Sequence, residues 1–115
     1  MLLQGQCIIG CMPFKDGTAS NYRRPYLVVD VDHNNETVHV LNISSVIGKE
    51  HKLAFNSNVL LSHSIPPLLQ QSFVKVDSHQ SLSFEAAKEF KLAANGAPIH
   101  NDDLTAVLAA YQRIN

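Results

Sequence analysis

The sequence predicts an α+β domain, mainly β, in which a small barrel-like sheet precedes C-terminal helices. Three observations carry that expectation. Short apolar runs separated by turn residues fill roughly the first 80 positions, residues 72–77 alternate strictly in polarity, and from Ser83 onward the apolar spacing becomes helical.

With 115 residues, 45% hydrophobic and 17% charged, the chain is sized for one domain, 1–115, built on one ordinary core. The barrel is expected over about 4–80 and the helical tail over about 83–114. A first strand is predicted at 6–13, followed by a polar loop from Phe14 to Asn21 in which Asp16-Gly17 is the turn signal. The loop ends at Arg23-Arg24-Pro25. Pro25 has no N–H to give a ladder, so it is placed ahead of the strand 26–31 rather than inside it. Asp32-His33-Asn34-Asn35-Glu36 supplies turn chemistry before a strand at 37–43, which makes a hairpin. In that strand Val38, Val40 and Asn42 alternate with His39, Leu41 and Ile43, so neither face is cleanly polar and the face assignment stays open.

Residues 44–71 allow short strands at 52–55 and 59–62, and Ile65-Pro66-Pro67 excludes regular structure there. The strand 72–77 places Phe73, Lys75 and Asp77 on one face and Ser72, Val74 and Val76 on the other. Ser83 is a plausible cap for a helix carrying Phe84, Ala87 and Phe90 or Lys91, closed by Asn95-Gly96-Ala97-Pro98. A second helix opens at Asn101 or Asp102. Its stripe is Leu104, Val107, Leu108 and Tyr111, with Asp102 and Asp103 at the positive start and Arg113 at the end.

Composition narrows the function classes. No apolar stretch approaches the ~20 residues needed to cross a bilayer, and Met1-Leu2-Leu3-Gln4-Gly5-Gln6 lacks the basic region of a signal peptide, so a cytoplasmic location without a membrane is expected. Cys7 and Cys11, four apart on one strand, would stand roughly 13 Å from each other, too far for a disulfide, and are expected as buried, reduced thiols. Nine Lys plus Arg against ten Asp plus Glu give 9 − 10 = −1, and neither half of the chain holds a basic excess, so any contact with RNA must be local. The six histidines lack the close spacing of zinc ligands, and no metal is expected. His39 reads as a hydrogen-bonded histidine in mid-strand near the candidate site. No Gly-x-Ser-x-Gly elbow, Walker loop or Gly-x-Gly-x-x-Gly occurs.

What remains is the pair Arg23-Arg24 at the mouth of one strand and the pair Ser44-Ser45 where the next strand ends. Antiparallel pairing brings those two ends together, so Arg24 and Ser44 are expected to converge. The bland readings are a solvated arginine pair holding a loop carboxylate such as Asp16, and a serine turn at a strand end. Tyr22 and Phe14, flanking the loop, suit either stacking on bases or rim packing.

In the order and spacing of Gln4-Gly5-Gln6-Cys7-Ile8-Ile9, Arg24-Pro25-Tyr26-Leu27-Val28-Val29, Leu41-Asn42-Ile43-Ser44-Ser45 and the segment from Leu69 to Asp77, the chain resembles the PemK/MazF family of toxin ribonucleases over about residues 4–80. The resemblance implies an SH3-like barrel and a metal-independent endoribonuclease acting on single-stranded RNA. It also implies a homodimer, a cognate antitoxin as partner, and no cofactor. Carried over, it makes Arg24 the catalytic arginine and Ser44 the catalytic hydroxyl, with Arg23, Ser45, Ser72, Lys75 and His39 as candidate substrate-binding residues. Many family members carry an acidic residue early in the penultimate strand. Here Ser72 stands in that place, preceded by Gln70 and Gln71, so the general acid and base are unassigned. The alternative is a non-catalytic SH3-like module that contacts protein or nucleic acid through the Arg23-Arg24 loop.

Overall fold

Alternating β-branched and aliphatic residues build the two central strands of a computed structural model that describes residues 2–13 and 22–114. These are β2 (Arg24–Asp32) and β3 (Thr37–Ser45), flanked by β1 (Cys7–Gly10), β4 (Asn58–Leu61), β5 (Ser72–Ser83) and β6 (Lys91–Leu92). The sheet order is β4-β5-β3-β2-β1-β6, with every ladder antiparallel. Among the described residues no ladder joins β4 to β6, so the barrel-like expectation becomes an open six-stranded sheet. Helix α1 (Phe84–Ala87) is one turn long, and α2 (Asn101–Ile114) closes the chain. No helix among the described residues is long and apolar enough to cross a membrane.

The β2–β3 turn is fixed by one side chain. Asp32 Oδ1 accepts from the backbone N–H groups of Asn34 and Asn35 at 3.0 and 3.1 Å, and its Oδ2 from Asn35 Nδ2 at 2.8 Å. These bonds, led by the one from the Asn35 side chain, hold the Asp32 carboxyl below its usual range.

Both faces of the sheet are buried, which explains why β3 shows no polar face. Leu27, Val29, Leu41, Ile43 and Val74 join one cluster beneath α2, into which Val107 and Ala110 pack. Tyr26, Val28, Val38, Val40 and Leu82 join a second cluster, covered by Ala87 and the partly buried Phe84 and Phe90. The hairpin ladder shifts register between Val28 and Asp30, and the β3–β5 ladder shifts between Val40, opposite Gln80, and Asn42, opposite Lys75.

Several boundaries differ from expectation. β1 ends at Gly10 rather than residue 13, because Cys11 and Met12 leave the ladder; both cysteines are free, Cys7 buried and Cys11 half-buried. Pro25 lies inside β2, opposite Ile9 of β1, and the ladder to β3 starts only at Tyr26. Residues 52–55 form no strand and belong mostly to a 3-10 turn, Glu50–Ala54. The helix expected from Ser83 stops after one turn. Ser83 does cap it, its Oγ accepting from Ala86 N at 3.0 Å, but Lys91–Leu92 then pair with β1 as an edge strand. The Phe84, Ala87, Phe90 spacing serves to cover the second cluster, not to extend a helix. α2 opens at Asn101 as predicted, with Val107 buried and Leu104, Leu108 and Tyr111 packed beside it.

Candidate functional site

Antiparallel register places the candidate residues. β2 and β3 pair Tyr26 with Asn42, and the same register extended by two residues sets Arg24 opposite Ser44. On the other side of β3, Ser44 faces Phe73, Asn42 faces Lys75, and Ser45 faces Ser72. Cross-strand partners share a face. The row Tyr26, Asn42, Lys75 and the row Arg24, Ser44, Phe73 therefore lie on the side of the second cluster, while Ser45 and Ser72 lie on the other.

A cavity of about 380 Å³ opens at this end of the sheet, lined by Arg23, Arg24, Ser44, Ser45, Lys49 and Ser72 among others. Three cations and three hydroxyls thus border one opening, from both faces of the sheet. No carboxylate or histidine lines the cavity among the described residues. Neither Arg23 nor Arg24 is in an ion pair with a described residue; the Arg24 guanidinium lies 5.8 Å from the centre of the exposed Tyr22 ring. Phe14, Asp16 and the rest of the loop 14–21 lie outside the described residues.

Lys49 is the residue that sequence reasoning missed. It sits in the turn after β3, and its Nζ donates to Ser44 Oγ at 2.9 Å. With Lys49 as donor, the Ser44 hydroxyl keeps its own proton free to donate onward. Ser45 Oγ accepts from Ile47 N at 3.2 Å, and Ser72 Oγ donates to Gln70 O at 3.0 Å, so these two hydroxyls shape the loops bordering the cavity. Cys7 lies in the cavity wall, but burial pushes its thiol up to about 12, which removes it as a nucleophile.

Lys75 is not a lining residue of the cavity; it lies on the same face as Ser44 and diagonal to it. Its ammonium is held below the ordinary lysine value, first by partial burial and then by the charges of Lys52, Lys49 and Arg24, with Asp77 opposing. Beside it, Asn42 Oδ1 is buried with no donor among the described residues.

His39 does not join this group. It lies five residues along β3 from Ser44, roughly 16 Å at strand rise. Its Nδ1 is 2.8 Å from His79 Nε2 and 3.1 Å from Ser81 Oγ. His79, stacked on it, is held below the usual histidine range by burial and then by His39. A second histidine pair, His63 and His100, has ring centres 5.1 Å apart. Linear spacing hid both pairs because long-range strand and loop contacts make them. Among the described residues no set of three His, Cys, Asp or Glu side chains could hold a metal ion.

Comparison with known proteins bears on the scaffold. No protein-family model matches the sequence, and no curated protein matches it. A chain of the MazE-MazF crystal structure (Form-II) from Deinococcus radiodurans superposes with a TM-score of 0.64 at 16% identity, covering 99% of this chain and 95% of that one. The fold is MazF-like. At this identity the likeness extends to the arrangement of strands and helices over essentially the whole chain, while the cavity chemistry is read from this chain's own residues.

Proposed function

We propose that this chain is a metal-independent endoribonuclease that cleaves single-stranded RNA, the toxin member of a toxin–antitoxin pair. The observation that carries the reading is the meeting of Arg24, Ser44 and Lys49 at one cavity. The MazF-like fold and the MazE-MazF pairing of the similar structure support the context. An antitoxin covering the cavity, a homodimer and an SH3-like closure of the sheet belong to the same reading.

In the reaction, the RNA 2′-oxygen bonds to the adjacent phosphorus and the bond to the 5′-oxygen breaks, through a phosphorane with added negative charge. The Arg24 fork matches two phosphorane oxygens, and its charge acts where charge develops. Lys49 holds the Ser44 oxygen so that the Ser44 proton points at a non-bridging or 2′-oxygen. Arg23 takes a neighbouring phosphate. Ser45 and Ser72 border the path of the strand, and Tyr22 offers a ring for a base. No cofactor enters.

Purified protein incubated with long single-stranded RNA in EDTA is expected to give fragments ending in 2′,3′-cyclic phosphate, with Arg24→Ala slower by about 10²–10³-fold. The absence of any carboxylate or histidine in the described lining favours a second reading, a non-catalytic RNA- or protein-binding module. Intact RNA that binds wild type but not Arg24→Ala would select it.

A further inference from the structure

We infer that Lys75 gives the proton to the departing 5′-oxygen when RNA is cleaved at this cavity, an inference that rests on the endoribonuclease reading. Transesterification moves two protons. The 2′-hydroxyl loses one to solvent water as its oxygen bonds to phosphorus, and the 5′-oxygen must gain one as its bond to phosphorus breaks. Histidine and carboxylate, the usual donors, are absent from the described lining. Arginine does not give up its proton in proteins, which leaves Lys49 in the lining and Lys75 beside Ser44 on the same face of the sheet.

Of these, Lys49 is committed to Ser44, its Nζ donating at 2.9 Å. Lys75 has no hydrogen bond or ion pair from its ammonium among the described residues. It is reached by geometry: Ser44 pairs with Phe73, so Lys75, two residues on, is the diagonal neighbour of Ser44 on one face, about 7–8 Å away between backbones. A four-carbon stem covers that gap. The charged groups that act on Lys75 are Lys52 from the 3-10 turn, Lys49 from the turn after β3, Arg24 from β2 and Asp77 from β5 itself. Three of the four are cations, so the ammonium is more acidic than an isolated lysine, and an arriving phosphate leaves it a proton to transfer. After transfer the neutral amine takes a proton back from water.

The alternation of 72–77 had set Lys75 apart from Ser72. The pairing shows that the relevant neighbour is Ser44, on the same side.

The test uses two variants and two substrates. Lys75→Arg keeps the charge without a transferable proton, and Lys75→Gln keeps neither. On ordinary RNA both are expected to lose about 10²–10⁴-fold in kcat, with KM held in Lys75→Arg. On RNA whose scissile 5′-oxygen is replaced by sulfur, a leaving group that departs without a proton, both are expected to cleave nearly as fast as wild type, which also shows that they are folded. Equal losses on the two substrates, or unchanged cleavage of ordinary RNA, would overturn the role of Lys75 and leave the nuclease reading standing. Wild type that leaves both substrates intact would overturn the two together.

Discussion

Asp103 shows how one buried charge ties elements together. It is 4% exposed at the start of α2, and its Oδ2 accepts from Ser64 Oγ at 2.6 Å and from His63 N at 2.9 Å. Burial pushes this carboxyl upward, but the bonds from Ser64 and His63 together outweigh it and hold the group below its ordinary value of 3.8. A folded value below the unfolded one means that the stabilisation is fully present above the unfolded value and fades as pH falls through the folded one. Asp103→Asn is therefore expected to cost about 1–3 kcal/mol at pH 7 in urea unfolding. The gap from wild type should narrow as pH falls through the lowered folded value, where wild type also loses its charge; a gap independent of pH would contradict this account. The sequence marked Asp103 as suited to a helix start. What it withheld was the loop partner, because Ser64 lies 39 residues away.

At the scale of elements, the β2–β3 hairpin was legible because each local signal agreed: an Asp-led turn, β-branched strands and a proline near the start. The convergence of Arg24 and Ser44 followed from that hairpin alone. Lys49 was not legible, since nothing in a turn sequence says that its ammonium folds back onto a serine. The segment after Ser83 misled because three apolar residues at helical spacing also suit a lid over a sheet. Gly10 makes the lid possible. A Cβ there would stand 2.7 and 2.9 Å from two ring carbons of Phe90, the residue that also meets Tyr26 edge-on with ring centres 5.9 Å apart. Gly10→Ala is expected to destabilise by about 1–3 kcal/mol through overpacking. In a Phe90→Ala background most of that cost should vanish, a coupling that a double-mutant cycle in chemical denaturation reads directly. Additive losses would place the strain elsewhere.

The whole molecule carries a formal charge of −1, yet Arg23, Arg24 and Lys49 line one cavity and Lys75 feels Lys52 beside it. Acidic residues elsewhere cancel the total, so the field that attracts a polyanion is confined to one end of the sheet and screened beyond about 8–10 Å. Near-neutral composition does not then exclude RNA; it limits how many phosphates are held. Three lining cations suggest about three neutralised phosphates, and single-stranded binding changes with salt by about −0.7 per phosphate in a log–log plot. A short RNA with 2′-O-methyl sugars, which cannot be cleaved, should bind with a slope near −2. Arg24→Ala should reduce the slope by about 0.7. Lys88→Gln, just after α1, paired with Glu85 and outside this cavity, should leave it unchanged. A slope equally affected by both substitutions would mean that the charge is spread over the surface, and a slope near zero would mean that the cavity does not hold phosphates at all.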